Sequence, residues 1–167
     1  GQNIGILEND FGAVNVDMML LQDLEGEKCE LEMISGGCDA ETHRRRFRTK
    51  LIAMGMCGYD RVLVEPSGIY DVDEFFDVLR DEPLDQWYEI GSVIAIVDAG
   101  LDPELSDEAN YLLASEAANA GSIVLSHADE VSTEQIEETI AHLNAALKQV
   151  TCSRQVGEEV LRKSGAQ

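Results

Sequence analysis

Residues 61–68, which read RVLVEPSG, decide the fold. Residues 61–64 form a short run dominated by β-branched and aliphatic side chains, which predicts a buried strand. The strand leads directly into an acid, Glu65, and then into a turn that contains proline and Gly68. Because ligands of open α/β sheets bind beyond the carboxyl ends of the strands, the residues after this strand are the first candidates for a site.

Comparable apolar runs and amphipathic segments lie on both sides of this stretch. The runs are mostly continuous rather than alternating, which predicts parallel strands covered on both faces. The segment of residues 40–56 carries Phe47, Leu51 and Met54 on one predicted helix face and four arginines around the other. The alternation of strands and helices predicts an α/β three-layer sandwich around a mostly parallel sheet. The further predicted strands are residues 4–7, 30–34, 93–97 and 122–125.

Helix boundaries in the second half of the chain have recognisable signals. Asp102 followed by Pro103 predicts a helix start, and Gly121 predicts its carboxyl-terminal cap. Ser132 and Gln135 form the spacing of a capping box, which predicts another helix start. We therefore expect one α/β domain over residues 1–150, followed by a short helix and tail over residues 151–167.

Bulk composition restricts the classes of partner. The 167 residues are 44% hydrophobic, enough for one well-buried domain, and the net charge is −21. Such an acidic surface repels phosphate backbones and anionic lipids, so we expect no nucleic acid and no membrane as partners. The four cysteines show no CxxC pair, and neither a membrane-spanning run nor a signal peptide is visible. These features predict a reduced, cytoplasmic protein.

The first two predicted strands end in segments with metal-binding potential. The segment after residue 7 contains Asp10 and, further on, Asp17. Their carboxylates can hold a hydrated cation, although an acidic turn closed by Gly12 is the more common explanation. The segment after the second strand contains two glycines and Cys38, a loop thiol suited to a soft metal. A single cysteine is more often an ordinary small residue.

The third and fourth segments have the chemistry of a nucleotide site. Glu65 can hold the hydration shell of Mg²⁺, and the backbone N–H of Gly68 can turn toward a γ-phosphate. Asp129 can accept two hydrogen bonds from guanine, whereas adenine lacks those donors. The alternatives are a plain strand-to-turn junction and a helix-capping aspartate. His127 can stack on a nucleotide or have no role, and His43 is expected to be solvated on the arginine-rich helix face.

Taken in order, these segments resemble the CobW/HypB/UreG group of P-loop GTPases, most closely its CobW-like branch. Residues 6–12 with Asp17 look like that branch's Asn-Glu-Phe-Gly switch segment and its trailing aspartate. Residues 64–68 match its Glu-x-x-Gly motif. The remaining similarities are the start of the Gly-Cys-x-Cys-Cys metal motif at residues 34–38, the Val-Asp-Ala strand at residues 92–98, and the position of the Asn-Lys-x-Asp guanine motif at residues 126–129.

The resemblance implies a P-loop NTPase fold of the SIMIBI type and a GTPase that uses Mg²⁺. It also implies delivery of zinc, cobalt or nickel to a client metalloprotein, and a homodimer is a further expectation. Glu65 and Gly68 would be the catalytic positions and Cys38 the metal ligand. Nucleotide contacts would come from Asp10, Asp17, Ser67, His127 and Asp129.

The sequence also departs from the family pattern. It has no G-x-x-x-x-G-K-[ST] motif, the second and third metal-motif cysteines are missing after Cys38, and Ser126 and His127 replace Asn and Lys. Either residues are absent before Gly1 and between Cys38 and Asp39, or the chain is a degenerate relative. The enzyme reading therefore stands beside a non-catalytic interaction module that uses the acidic surface or the arginine cluster, with a flavodoxin-like module ranked lower.

Overall fold

The computed structural model describes residues 1–10, 29–35, 40–66 and 72–150, which form two compact units, Gly1–Glu89 and Ile90–Gln167. The described strands are β1 (Ile4–Asp10), β2 (Cys29–Ser35), β3 (Arg61–Glu65), β4 (Ile94–Asp98) and β5 (Ser122–Ser126). The described helices are α1 (Ala40–Met56), α2 (Val72–Arg80), α3 (Leu84–Trp87), α4 (Asp107–Asn119) and α5 (Thr133–Gln149).

The first unit contains a parallel sheet with the order β2-β1-β3. Strand β1 is central and pairs in parallel with both neighbours. The second unit contains a parallel pair, β4-β5. Every described strand pairing is therefore parallel, and helices separate most of the strands along the chain, which confirms the predicted α/β class.

The core of the first unit lies between its sheet and helix α1. Leu7 of β1 and the helix residues Phe47, Leu51 and Met54 are all at most 2% exposed. This confirms the predicted buried face of α1, and each such side chain contributes about 2 kcal/mol by leaving water. Gly5 allows the close approach, because a Cβ there would lie 2.6 Å from Met54 Cε.

His43 belongs to this buried face, so the prediction of a solvated histidine was wrong. The residue is 4% exposed, and its ring lies nearly parallel to that of Phe47 at a centroid distance of 6.5 Å. The reason is helical spacing, since His43 lies four residues before Phe47 and therefore on the same side of α1. The neighbouring arginines occupy the other sides of the helix.

Part of the arginine cluster holds α1 to the segment between α2 and α3. Arg48 Nη2 donates to the carbonyl oxygen of Glu82 at 2.6 Å. Arg44 lies 3.5 Å from the carboxylate of Asp81. The Tyr88 hydroxyl, which follows α3, donates to the carbonyl oxygen of Leu51 at 2.7 Å. These contacts use two of the four arginines within the first unit.

The second unit packs its helices on one face of the β4-β5 pair. Val97 and Leu125 are register partners on the covered face, 5% and 2% exposed. On the opposite face, Ile94 and Ile96 are 58% and 71% exposed. Continuous apolar runs predicted cover on both faces, but in this unit the residues that pack against the strands come from α4, α5 and their adjoining turns, all on one side.

Helix α4 begins later than its sequence signal predicted. Asp102 accepts a hydrogen bond from the N–H of Glu104 at 2.8 Å, which closes only a local turn. The cap is Ser106, whose side chain accepts from the N–H of Ala109. The helix ends at Asn119, beside the predicted stop near Gly121, and its cap is Ala120. Gly121 is not in the left-handed region; its N–H donates to the carbonyl oxygen of Val93 at 2.8 Å, directly before β5.

Helix α5 begins where the capping box predicted. The hydroxyl of Ser132 accepts from the N–H of Gln135 at 3.2 Å, and Thr133 is the first helical residue.

The division into a domain of residues 1–150 and a tail of residues 151–167 stays a prediction, because the tail lies outside the described residues. Among the helices described, none is both long and apolar enough to cross a bilayer.

Candidate functional site

The carboxyl ends of β1, β2 and β3 meet at one edge of the first unit's sheet. Asp10 ends β1 and pairs in register with Ser35, the last residue of β2. Glu65 ends β3 and pairs in register with Glu8 of β1. The parallel topology therefore brings Asp10 and Glu65 to one rim, with β2 ending beside it. We call this edge the carboxylate rim.

The carboxylate rim contains one exposed and one buried acid on neighbouring strands. Glu65 is exposed, whereas Glu8 is 2% exposed. In-register residues of parallel strands lie on the same face, so these two glutamates share a face of the sheet. The sequence placed Glu8 in the acidic segment after the first predicted strand, but did not assign it a site role. Adjacent carboxylates create a negative potential that favours a bound cation.

Several predicted site residues lie outside the part of the chain that the structure describes. Asp17, Cys38, Ser67 and Gly68 belong to this group, as does the junction between Cys38 and Asp39. Their proposed roles stay predictions. Among the described residues, no three His, Cys, Asp or Glu side chains cluster in a way that could hold a metal ion.

In the second unit, the loop after β5 presents His127 beside the end of β4. His127 Nδ1 lies 3.3 Å from Asp98 Oδ2, and both side chains are more than half exposed. The backbone of His127 has a φ of 54°, in the left-handed region that residues other than glycine rarely occupy. The carbonyl oxygen of His127 accepts from the N–H of Glu130 at 3.0 Å, which closes the turn that follows β5.

Asp98 is a second residue that sequence reasoning did not assign to the site. Its Oδ1 accepts a hydrogen bond from the N–H of Gly100 at 2.8 Å, while Oδ2 faces the histidine. Its position was a usable signal, because Asp98 is the last residue of β4 and ligands of open α/β sheets bind beyond the carboxyl ends of the strands. Asp129 is exposed in the same turn as His127, and the turn leads into the cap of α5.

Ser126, His127 and Asp98 lie close together at the ends of β4 and β5, but their geometry differs from that of a hydrolytic triad. Ser126 Oγ and Asp98 Oδ2 both approach Nδ1 of His127, at 3.4 and 3.3 Å. A proton relay requires the nucleophile and the carboxylate to contact different ring nitrogens. The Ser126 hydroxyl also donates to the carbonyl oxygen of Val97 at 3.4 Å. The arrangement is therefore suited to holding an imidazole ring rather than to activating a serine.

Comparison with known proteins identifies relatives over most of the chain. The model of the CobW/HypB/UreG nucleotide-binding domain matches residues 1–156. The chain is 28% identical over 156 residues to the zinc chaperone YjiA of Escherichia coli, covering 87% of this chain and 47% of that protein. It is 27% identical over 130 residues to the zinc chaperone YeiR of the same organism, covering 77% and 39%. The chain therefore spans about half or less of these relatives.

A solved structure, the Zn(II)-bound YjiA GTPase from E. coli, is also similar. It is 19% identical, with a TM-score of 0.49, over 85% of this chain and 54% of that one. The matched family model covers both units described above and extends from the first residue past helix α5. The chain belongs to the CobW/HypB/UreG nucleotide-binding domain family.

Proposed function

We propose that this chain is the GTP-binding part of a CobW-type metal chaperone, which couples its nucleotide state to delivery of a transition metal. The observation that carries the proposal is the carboxylate rim, where the exposed Glu65 lies on the strand next to the one that ends in Asp10. Nucleotide-binding α/β proteins bind ligands at this edge of their sheets.

Glu65 is proposed to accept hydrogen bonds from the water shell of Mg²⁺. The bound ion would neutralise the charge that develops on the phosphates. Exposure of Glu65 favours this role, because a hydrated cation needs access to the carboxylate. The proposed contributions of Asp10, Asp17, Ser67 and Gly68 are to shape the switch segments that respond to the γ-phosphate.

The loop after β5 is proposed to bind the guanine base of GTP. Asp129 would accept from guanine N1–H and the exocyclic amine, and its exposure leaves its carboxylate accessible. His127 would contact the same base from two residues earlier in the turn. Two donors on guanine and none on adenine at these positions would give selectivity for GTP, since an unsatisfied carboxylate opposes adenine binding.

The cargo is proposed to be zinc, because both curated relatives are named zinc chaperones. Cys38 would supply one thiolate ligand. Zinc sites in proteins normally use four ligands, so Cys38 alone does not make a site and further donors are required. The client metalloprotein, a homodimer and a cytoplasmic location stay sequence-based predictions.

The alternative is an interaction module without nucleotide hydrolysis. The arginine cluster on α1 motivated it, but Arg44 and Arg48 contact Asp81 and the carbonyl oxygen of Glu82 within the first unit. The cluster therefore offers less positive surface than its sequence indicates. We therefore prefer the nucleotide proposal, because the carboxylate rim is a more specific feature than the arginine cluster.

The test is GTP binding and turnover by the complete protein that contains this chain, measured with Mg²⁺ and with or without zinc. We expect Glu65→Gln to lower kcat by about 10- to 100-fold, the range for residues that orient a metal's ligands, with GTP affinity nearly unchanged. Glu89→Gln is the matched control, since Glu89 is also an exposed glutamate but belongs to none of the strands that form the carboxylate rim. A folded wild-type protein that binds no GTP contradicts the proposal and favours the interaction module.

A further inference from the structure

We propose that Asp98 is a positioning residue that fixes the imidazole of His127 against the base of the bound nucleotide. The inference rests on the proposed nucleotide site and adds to it a residue on a different strand. Asp98 ends β4, whereas His127 follows β5, and the parallel register pairs Asp98 with Ser126. The strand pairing therefore places the carboxylate next to the histidine.

Both oxygens of the Asp98 carboxylate are engaged. Oδ1 accepts from the N–H of Gly100 at 2.8 Å, which orients the carboxylate on the turn after β4. Oδ2 then lies 3.3 Å from Nδ1 of His127. Because the N–H of Gly100 fixes the orientation of the carboxylate, Oδ2 has a defined position beside the imidazole ring and can orient it.

The surroundings of Nδ1 determine which ring nitrogen carries the proton. Ionised Asp98 can only accept hydrogen bonds. The one proton of the Ser126 hydroxyl is directed to the carbonyl oxygen of Val97, so its lone pairs are left for Nδ1. Both neighbours of Nδ1 are therefore acceptors, which favours the tautomer with the proton on Nδ1 and leaves Nε2 as an acceptor.

The backbone supports a functional role for this ring. His127 occupies the left-handed region with a φ of 54°, and strained residues of this kind concentrate at ligand sites. The side chain is 58% exposed, so the fixed ring remains available to a ligand. A flat imidazole two residues before Asp129 has the shape and position to stack on a purine, because stacking needs only an accessible ring face.

The test uses variants that distinguish two roles of Asp98, its hydrogen bond within the turn after β4 and its contact with His127. Asp98→Asn retains an oxygen that can accept from Gly100, but its NH₂ group then faces Nδ1 and disfavours a proton there. Asp102→Ala is the matched control, because Asp102 accepts an equivalent bond from the N–H two residues on, also at 2.8 Å, and contacts no histidine in the part of the chain that the structure describes. His127→Ala and the Asp98→Asn/His127→Ala double variant complete the set.

Affinity for a fluorescent GDP analogue is measured in the complete protein with Mg²⁺. We expect Asp98→Asn and His127→Ala each to weaken binding about tenfold, which equals 1.4 kcal/mol, and the double variant to be no weaker than His127→Ala. Asp102→Ala should stay within about twofold. Full affinity in Asp98→Asn, or losses that multiply in the double variant, overturns the inference. A wild type that binds no nucleotide instead overturns the proposed function, and the base contact with it.

Nitrogen-15 NMR of the nucleotide-free protein gives a readout that simple destabilisation does not produce. We expect His127 to carry its proton on Nδ1 in the wild type and in Asp102→Ala, and to shift toward the Nε2–H tautomer in Asp98→Asn. An Nε2–H tautomer in the wild type contradicts the positioning role, whether or not GTP binds. This measurement therefore distinguishes failure of the inference from failure of the proposed function.

Discussion

At the scale of single residues, His43 shows how position on a helix overrides the polarity of a side chain. Its sequence neighbours are arginines, yet it is buried in line with Phe47. Burial lowers the pKa of His43 because the charged imidazolium loses its hydration; nearby Glu74 opposes this effect and Arg46 adds to it. The ring is therefore neutral in the folded protein over a wider pH range than in the unfolded chain.

This pKa difference predicts that His43 makes stability depend on pH. Below the unfolded pKa of about 6.5, the unfolded chain binds a proton that the folded protein resists, so the free energy of unfolding falls as pH decreases from that value toward the lowered folded pKa. We expect the loss between pH 7.5 and 5.5 to be smaller in His43→Gln, measured by urea unfolding. The two proteins share every other titrating group, so equal losses would assign the pH dependence elsewhere.

At the scale of secondary-structure elements, β4 and β5 show that one apolar strand can have two unequal faces. The run of residues 93–97 contains nothing polar, so hydrophobicity alone does not distinguish its two sides. The structure does distinguish them, because Val97 packs against the helices of the second unit while Ile96 is 71% exposed. The stabilisation from burial is therefore confined to alternate residues of the strand.

Substitutions on the two faces should therefore differ in cost. Leu125→Ala removes a side chain that is 2% exposed, and we expect it to lower the free energy of unfolding by about 2–5 kcal/mol through lost burial and a residual cavity. Ile96→Ala removes a side chain already in water, with an expected change of at most about 0.5 kcal/mol. Urea unfolding of the chain measures both. A large loss in Ile96→Ala would show that the outer face is covered in solution.

At the scale of the whole molecule, charge is the dominant feature. The chain carries 33 acidic and 12 Lys or Arg side chains, and its net charge is −21. Like charges this numerous repel one another and disfavour the compact state. Five of the basic side chains lie on α1, at positions 44, 45, 46, 48 and 50, so the rest of the chain is still more acidic.

Screening of this repulsion should stabilise the protein. We expect Tm to rise when NaCl increases from about 20 to 200 mM, because the Debye length falls to about 7–8 Å in that range. EDTA is kept in the buffer so that trace divalent cations at the carboxylate rim do not contribute, and KCl serves as a control for ion identity. A Tm that stays constant or falls would mean that attractive ion pairs outweigh the net repulsion.

The sequence by itself determined most of the strands and longer helices, their parallel class and the family. Continuous apolar runs, helix spacing and the glutamate that ends β3 are local signals, which can be recognised without knowing what each segment packs against. Ser132 as a helix cap and the buried face of α1 were accessible in the same way. The segments containing Cys38 and Gly68 remain predictions, because they lie outside the described residues.

Only the tertiary structure decided which residues meet. The pairing of Asp98 with His127 joins positions 29 residues apart, and it follows from the register of two parallel strands. Burial of Glu8 and the unequal faces of β4 follow from which side of each strand the rest of the chain covers. These outcomes depend on contacts between distant segments, and the order of residues along the chain does not encode them in any short pattern.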